Sequence, residues 1–189
     1  MRILDLSREF SLEEFARNQH SGTHLDAPAY LFGRGKGVAD FGLERFILDA
    51  VLLDLTSKTP GQPVEDEDLE GAEEAAGLAL REGEAVILFA RADESIPQQQ
   101  EVFLSQNGAE YLEFKGVSMV GIDSASIDAQ GPSDLTAHKI LLSNEILVLE
   151  DLRNLGGVDS SRFKLCALPL RVSGATAPVR AVAMLDDSC

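Results

Sequence analysis

Short apolar runs separated by polar, turn-forming stretches set the rhythm of this chain. Ile3–Leu6 is a brief apolar run with the look of a first strand. Ser11 and Glu14 then spell the S-L-E-E pattern, in which a hydroxyl and a carboxylate cap each other's backbone donors, so a short helix is expected over Leu12–Arg17. From Asn18 to Pro28 the chain is small and polar, rich in His, Gly and Thr, and reads as a structured loop. Ala50–Leu55 and Ala85–Ala90 are continuous apolar runs of strand length, the pattern of strands buried on both faces. Between them Pro60–Pro63 marks a turn, and the acidic, Ala-rich stretch Glu65–Arg81 reads as an exposed helix preceded by a loop.

The second half continues the alternation. Phe103, Leu104, Leu112 and Phe114 sit near helical spacing within Val102–Lys115, which predicts a helix there. A strand at Met119–Ile122, a helix at Leu135–Leu142 and a strand at Ile146–Leu149 follow. Phe163–Val172 and Val179–Leu185 close the chain as two strands joined through a Gly-Ala turn region. Strands alternate with helices early and dominate late, which points to an α/β or α+β domain with a mixed sheet. No repeat, low-complexity stretch or linker interrupts residues 1–189, so one domain is expected.

Charge narrows the range of partners. There are 32 Asp and Glu against 16 Lys and Arg, a net charge of −16. Such a field repels nucleic acid and anionic membranes and suits either solubility or the gathering of divalent cations. Only two cysteines occur, Cys166 in an apolar run and Cys189 at the end, with no CxxC pattern. No segment is apolar for the ~20 residues of a membrane span. These features predict a cytoplasmic protein in a reducing compartment.

Candidate chemistry concentrates in H20-S-G-T-H24-L-D26-A-P28. Imidazole and carboxylate are ordinary ligands of divalent metals. On extended backbone, His24 and Asp26 point to the same side, and Gly22 allows an unusual turn before them. Three ligands from one segment would leave coordination positions open for water and substrate. By spacing alone, however, the pair of histidines fits two polar loop residues equally well. His138, on the expected helix L135-T-A-H-K-I-L-L, and Glu150, at a strand end, taken singly fit a packed or capping histidine and a solvated carboxylate. G33-R-G-K-G37 lacks the spacing of a phosphate loop and reads as a surface turn.

The run H20-S-G-T-H24-L-D26-A-P28 resembles the H-x-G-T-H-x-D-x-P-x-H motif of the cyclase, or kynurenine formamidase, family of metal-dependent hydrolases. The resemblance continues through G121-I-D-S-A-S-I-D128, H138-K-I-L-L-S-N-E-I-L-V-L-E150-D-L and L168-P-L-R-V-S-G-A-T-A-P-V-R-A-V-A-M184. It implies a mixed, partly curled β-sheet flanked by helices, of the swivelling β/β/α type. It also implies one or two divalent metals, zinc first and manganese second. His20, His24 and Asp26 would hold one ion and Asp26, His138 and Glu150 the other, with Asp26 and Glu150 bridging.

The activity implied is hydrolysis of a small amide, formamide or cyclic amide by metal-activated water, commonly in a homodimer or higher oligomer. A metal-containing binding protein and a metal-dependent lyase or dehydratase are the alternatives. Two departures stand out. Tyr30 takes the place of the motif's last histidine, which makes it the candidate proton donor, or else part of the pocket wall. Only Arg8–Gln19 occupies the place of a longer segment that in kynurenine formamidases carries a substrate-facing tryptophan, and this chain has no tryptophan.

Overall fold

Seven strands close into a ring in the computed structural model, which describes residues 1–90, 101–129 and 134–186. The strands are β1 (Arg2–Asp5), β2 (His24–Asp26), β3 (Ile47–Asp54), β4 (Pro63–Val64), β5 (Ala85–Phe89), β6 (Phe103–Leu104), β7 (Met119–Ile122), β8 (Leu147–Glu150), β9 (Arg162–Pro169) and β10 (Thr176–Leu185). The helices are α1 (Leu12–Arg17), α2 (Asp66–Ala75), α3 (Gln106–Phe114) and α4 (Thr136–Ser143). Round the ring the order is β10-β2-β8-β7-β5-β3-β9, and a β9–β10 ladder closes it. The β3, β5, β7 and β8 neighbours are parallel and the remaining ladders of the ring antiparallel. This is the mixed, curled sheet with flanking helices that the sequence predicts, carried to closure.

The apolar runs divide between two cores because successive strand residues face opposite sides. On β5, Ala85 and Ile87 join the cluster that fills the ring, while Val86 and Leu88 join the cluster beneath α2, α3 and α4. Ring-filling positions are often small: Ala50, Ala167, Ala177, Ala181 and Ala183 are all buried there. Gly121 belongs to the same crowding, since a Cβ at that position would come 2.6 Å from Ile87 Cδ1 and 3.0 Å from Leu152 Cδ1. On the outer side Leu69, Leu112 and Leu141 are fully buried, each contributing about 1.5–3 kcal/mol of apolar burial.

Three local differences from the sequence expectation have clear causes. Helix α2 stops at Ala75 because Gly77, at φ +64°, takes the left-handed conformation that ends helices. It is not wholly exposed either: Leu69, Ala72 and Glu73 are buried, and the Glu73 carboxylate accepts from Tyr111 Oη at 2.5 Å and Leu80 N at 2.9 Å. The helix expected over Val102–Lys115 starts later, because Ser105 caps α3 by accepting from Gly108 N. Phe103 and Leu104 therefore stay extended as β6, parallel to β4, and Phe114 is exposed. Within the expected loop Asn18–Pro28, residues 24–26 form β2. Among the described residues no helix is long and apolar enough to cross a membrane. Cys166 is a free thiol, and Cys189 lies outside the described residues.

Candidate metal centre

The centre is built on the outer face of the ring where β2, the end of β8 and α4 meet. Strand β2 sends Leu25 into the ring, so His24 and Asp26 face outward together. In the β2–β8 ladder His24 lies opposite Glu150. Helix α4 supplies His138 from a buried face that also carries Ala137, Leu141 and Leu142. His20 arrives from the loop before β2, which turns at Gly22 with φ +72°. A side chain at Gly22 would overlap the ring of Phe10, so glycine is required there twice over.

His20, His24, Asp26 and Glu150 bring one ligand atom each to within 4.8 Å of one another, a group that could hold a metal ion. Glu150 divides its two oxygens: Oε2 lies 3.0 Å from His24 Nε2 and Oε1 3.3 Å from His138 Nε2. Asp26 Oδ2 lies 3.3 Å from His20 Nδ1 and 3.5 Å from His138 Nε2. His138 thus adjoins the same two carboxylates without joining the group of four, and the five side chains make two overlapping sets that share Asp26 and Glu150.

Surrounding groups fix the orientation of each ligand. His24 Nδ1 donates to Gly22 O at 2.8 Å and His138 Nδ1 to Asp128 Oδ2 at 2.6 Å, assignments that leave both Nε2 lone pairs facing inward. Asp128 also accepts from the backbone N–H of Ala137 and His138, tying the first turn of α4 to the same carboxylate. Thr176 on β10 donates to Asp26 Oδ1 at 2.5 Å, and Ile127 N to Glu150 Oε1 at 2.6 Å. Asp151, next to Glu150, has φ +58°, a strained conformation held by Ser124 O, Thr23 Oγ1, Arg8 and Arg153.

The donor set fits a divalent cation. Asp26 Oδ2 and His138 Nε2 are buried, have no hydrogen-bond partner, and face each other across 3.5 Å. Two lone-pair atoms so placed are costly unless a cation or proton lies between them. Electrostatics agree. Burial alone would lower the His24 pKa, yet the hydrogen-bonded Glu150 carboxylate overrides it and pushes the value up to about 9. For His138 burial is again outweighed, by Glu150, Asp128 and Asp26, and the value rises to about 10. Asp26, which burial would raise, is held below the usual carboxylate range by the three histidines.

Tyr30 ends a 3₁₀ turn over Pro28–Tyr30 and packs between two of the histidines, its ring centroid 4.7 Å from His20 and 5.6 Å from His138. Burial and the Asp26 and Glu150 charges raise its pKa, so the phenol keeps its proton at neutral pH. All six of these side chains thus meet in one place. Asp128, Thr176, Arg8 and Phe10 were not singled out from the sequence. The I-D-S-A-S-I-D128 run was a usable signal for the first of these, while Thr176, 150 residues from Asp26, had none.

Above the centre lies a cavity of about 400 Å³ lined in part by Arg8, Phe10, Glu14, Tyr30, Ser126 and His138. Both the sequence and the fold have counterparts among known proteins. Residues 4–129 match the sequence model of the cyclase family. The kynurenine formamidase of Salinibacter ruber is 35% identical over 165 residues, 86% of this chain and 74% of that protein. The chain belongs to the cyclase family. Among solved structures of similar fold, isatin hydrolase A from Labrenzia aggregata superposes with a TM-score of 0.81 at 18% identity, covering 98% of this chain and 94% of that one. A potential metal-dependent hydrolase with cyclase activity gives 0.80 at 23% identity, covering 96% of each chain. At those identities the solved structures speak for the cyclase fold alone.

Proposed function

We propose that this metal-dependent amide hydrolase cleaves the C–N bond of a small formamide or cyclic amide, with His20, His24 and Asp26 holding one divalent cation, Asp26, His138 and Glu150 a second, and Tyr30 donating the proton. The observation that carries the reading is the facing pair of unpartnered buried atoms, Asp26 Oδ2 and His138 Nε2, beside an open cavity that His20, His138 and Glu150 line. Nitrogen and oxygen ligands without sulfur suit zinc first and manganese second.

A bound dication supplies Lewis acidity and lowers the pKa of water towards ~7. The chain itself supplies orientation and a proton. Gly22 O and Asp128 hold the two imidazoles with their lone pairs inward, so they need no reorganisation when a ligand arrives. Without a cation Tyr30 keeps its phenolic proton through neutral pH, and it faces the cavity, where a donor to the departing nitrogen is needed. As the C–N bond breaks, the nitrogen takes that proton, the acyl carbon keeps the oxygen of water, and the proton that water gives up restores the Tyr30 phenol.

The reading extends to a homodimer in the cytoplasm. Leu43 and Leu170 are exposed on an apolar groove that Val38, Phe41 and Phe46 also line, a patch suited to self-association.

Elemental analysis of the purified protein, with turnover of formanilide in isotopically labelled water, tests the proposal. The expected result is zinc or manganese at one to two ions per chain, label in the released formate, and loss of turnover in His24→Ala. Turnover that leaves the label out of the product would indicate a lyase or dehydratase. Tight metal binding without turnover of any amide, ester or lactam would indicate a binding protein. Light scattering decides the dimer.

A further inference from the structure

We propose that Arg8 anchors a carboxylate on the substrate, so that the preferred amides are anionic and aromatic, with Phe10 as the wall beside the ring. The proposal rests on the hydrolase reading of the same cavity. Among the described residues lining that cavity Arg8 is the only Lys or Arg, while Glu14, Glu150 and Asp151 line it as well. In a chain of net charge −16, an anion approaching those carboxylates needs a local counter-charge, and Arg8 supplies it.

Arg8 is held in a set place. Its backbone N donates to Thr23 Oγ1 at 2.7 Å, and that hydroxyl donates to Asp151 O at 2.7 Å. Its Nη1 donates to Asp151 Oδ2 at 2.8 Å. Thr23 and Asp151 are the chain neighbours of His24 and Glu150, so the guanidinium is fixed relative to both candidate ligands. Asp151 does not depend on Arg8 for neutralisation, because Arg153 Nη2 lies 2.6 Å from its other oxygen. Arg153 thus offsets Asp151 in its own right, which leaves the Arg8 charge to be shared between Glu14 and an incoming anion. The Arg8 side chain is 43% exposed, against 3% for Asp151, and nothing among the described residues accepts from its Nε or Nη2. Those two atoms form the fork that grips a carboxylate through two parallel bonds.

Phe10 completes the subsite. Its ring lies over Gly22, where any side chain would displace it, and packs against Phe15 at a centroid distance of 6.0 Å. An apolar ring beside a cationic fork matches an aryl carboxylate.

The test compares 2-formamidobenzoate with formanilide on the metal-loaded enzyme. Arg8→Gln is expected to lower the kcat/KM ratio of the anionic to the neutral substrate at least tenfold, through KM, with partial recovery in Arg8→Lys. Equal losses on both substrates would make Arg8 a structural strut and overturn the proposal. Calorimetric titration of the metal-free protein with benzoate gives a second readout: Kd should rise at least tenfold in Arg8→Gln, and equal binding by both proteins would also overturn it. If the wild type hydrolyses neither substrate, the hydrolase reading falls while the benzoate titration still decides Arg8.

Discussion

Thr176 donates its hydroxyl to Oδ1 of Asp26 at 2.5 Å, leaving Oδ2 alone to face His20 and His138. The bond joins β10 to β2 and sets which carboxylate oxygen points into the candidate centre. Thr176→Val keeps the shape and removes the donor. Outer contacts of this kind are worth about 10- to 100-fold in metal affinity. Competition against a chromogenic chelator should show a loss in that range, and unchanged affinity would mean that the strand alone orients Asp26.

Asp128 joins two tasks in one side chain, since it accepts from His138 Nδ1 and from two backbone N–H groups at the start of α4. Asp128→Ala should therefore lose a helix cap, about 1 kcal/mol, together with the orientation of His138. Asp128→Asn keeps an acceptor for the helix but no longer offers a negative charge to the imidazole. Its melting temperature should stay closer to wild type while turnover falls about 10- to 100-fold. Equal melting losses in the two variants, with turnover intact in both, would reduce Asp128 to a helix cap.

The histidines give the metal-free form a distinctive pH profile. His24 and His138 rise from an ordinary 6.5 to about 9 and about 10 in the folded chain. A raised folded pKa stabilises fully below the unfolded value and ceases to do so above the folded one. The metal-free protein should thus lose melting temperature as pH climbs from about 6.5 through 10. A cation replaces those protons, so the metal-loaded form should flatten over the same window and its loading should release protons. Calorimetric scans of both forms check this, and a flat metal-free profile would contradict the arrangement.

Tyr30 should report on the cation directly. The chain has two tyrosines, and both phenols lie above their ordinary pKa of 10.0: Tyr30 through burial and the Asp26 and Glu150 charges, Tyr111 through burial and its bond to Glu73. A dication beside Tyr30 reverses the local sign and favours phenolate. Absorbance titration should show both phenols ionising with midpoints above 10 without metal and a single phenol shifted downward with it. That shift should vanish in Tyr30→Phe, and its persistence there would assign the effect elsewhere.

Much of this arrangement is legible in the sequence because it is local. The Ser11–Glu14 box fixes α1, and the runs Ala85–Ala90 and Met119–Ile122 become β5 and β7 within a residue. The departures came from competing local signals that carry little weight in a periodicity. Gly77 stopped α2 early, and Ser105 outweighed the apolar spacing of Phe103 and Leu104.

Composition and pattern by themselves determined the alternating strands and helices, the acidic character, and the clustering of His20, His24 and Asp26 on one short segment. Only the tertiary structure decided that Glu150 turns one oxygen to His24 and the other to His138, that Thr176 and Asp128 orient the ligands, and that Arg8 and Phe10 form a cavity wall. The physical reason is range. Backbone periodicity is set by neighbours a few residues apart, whereas the site forms only when ring closure brings β10 and β8 alongside β2, and no local pattern records which distant side chains that closure will make adjacent.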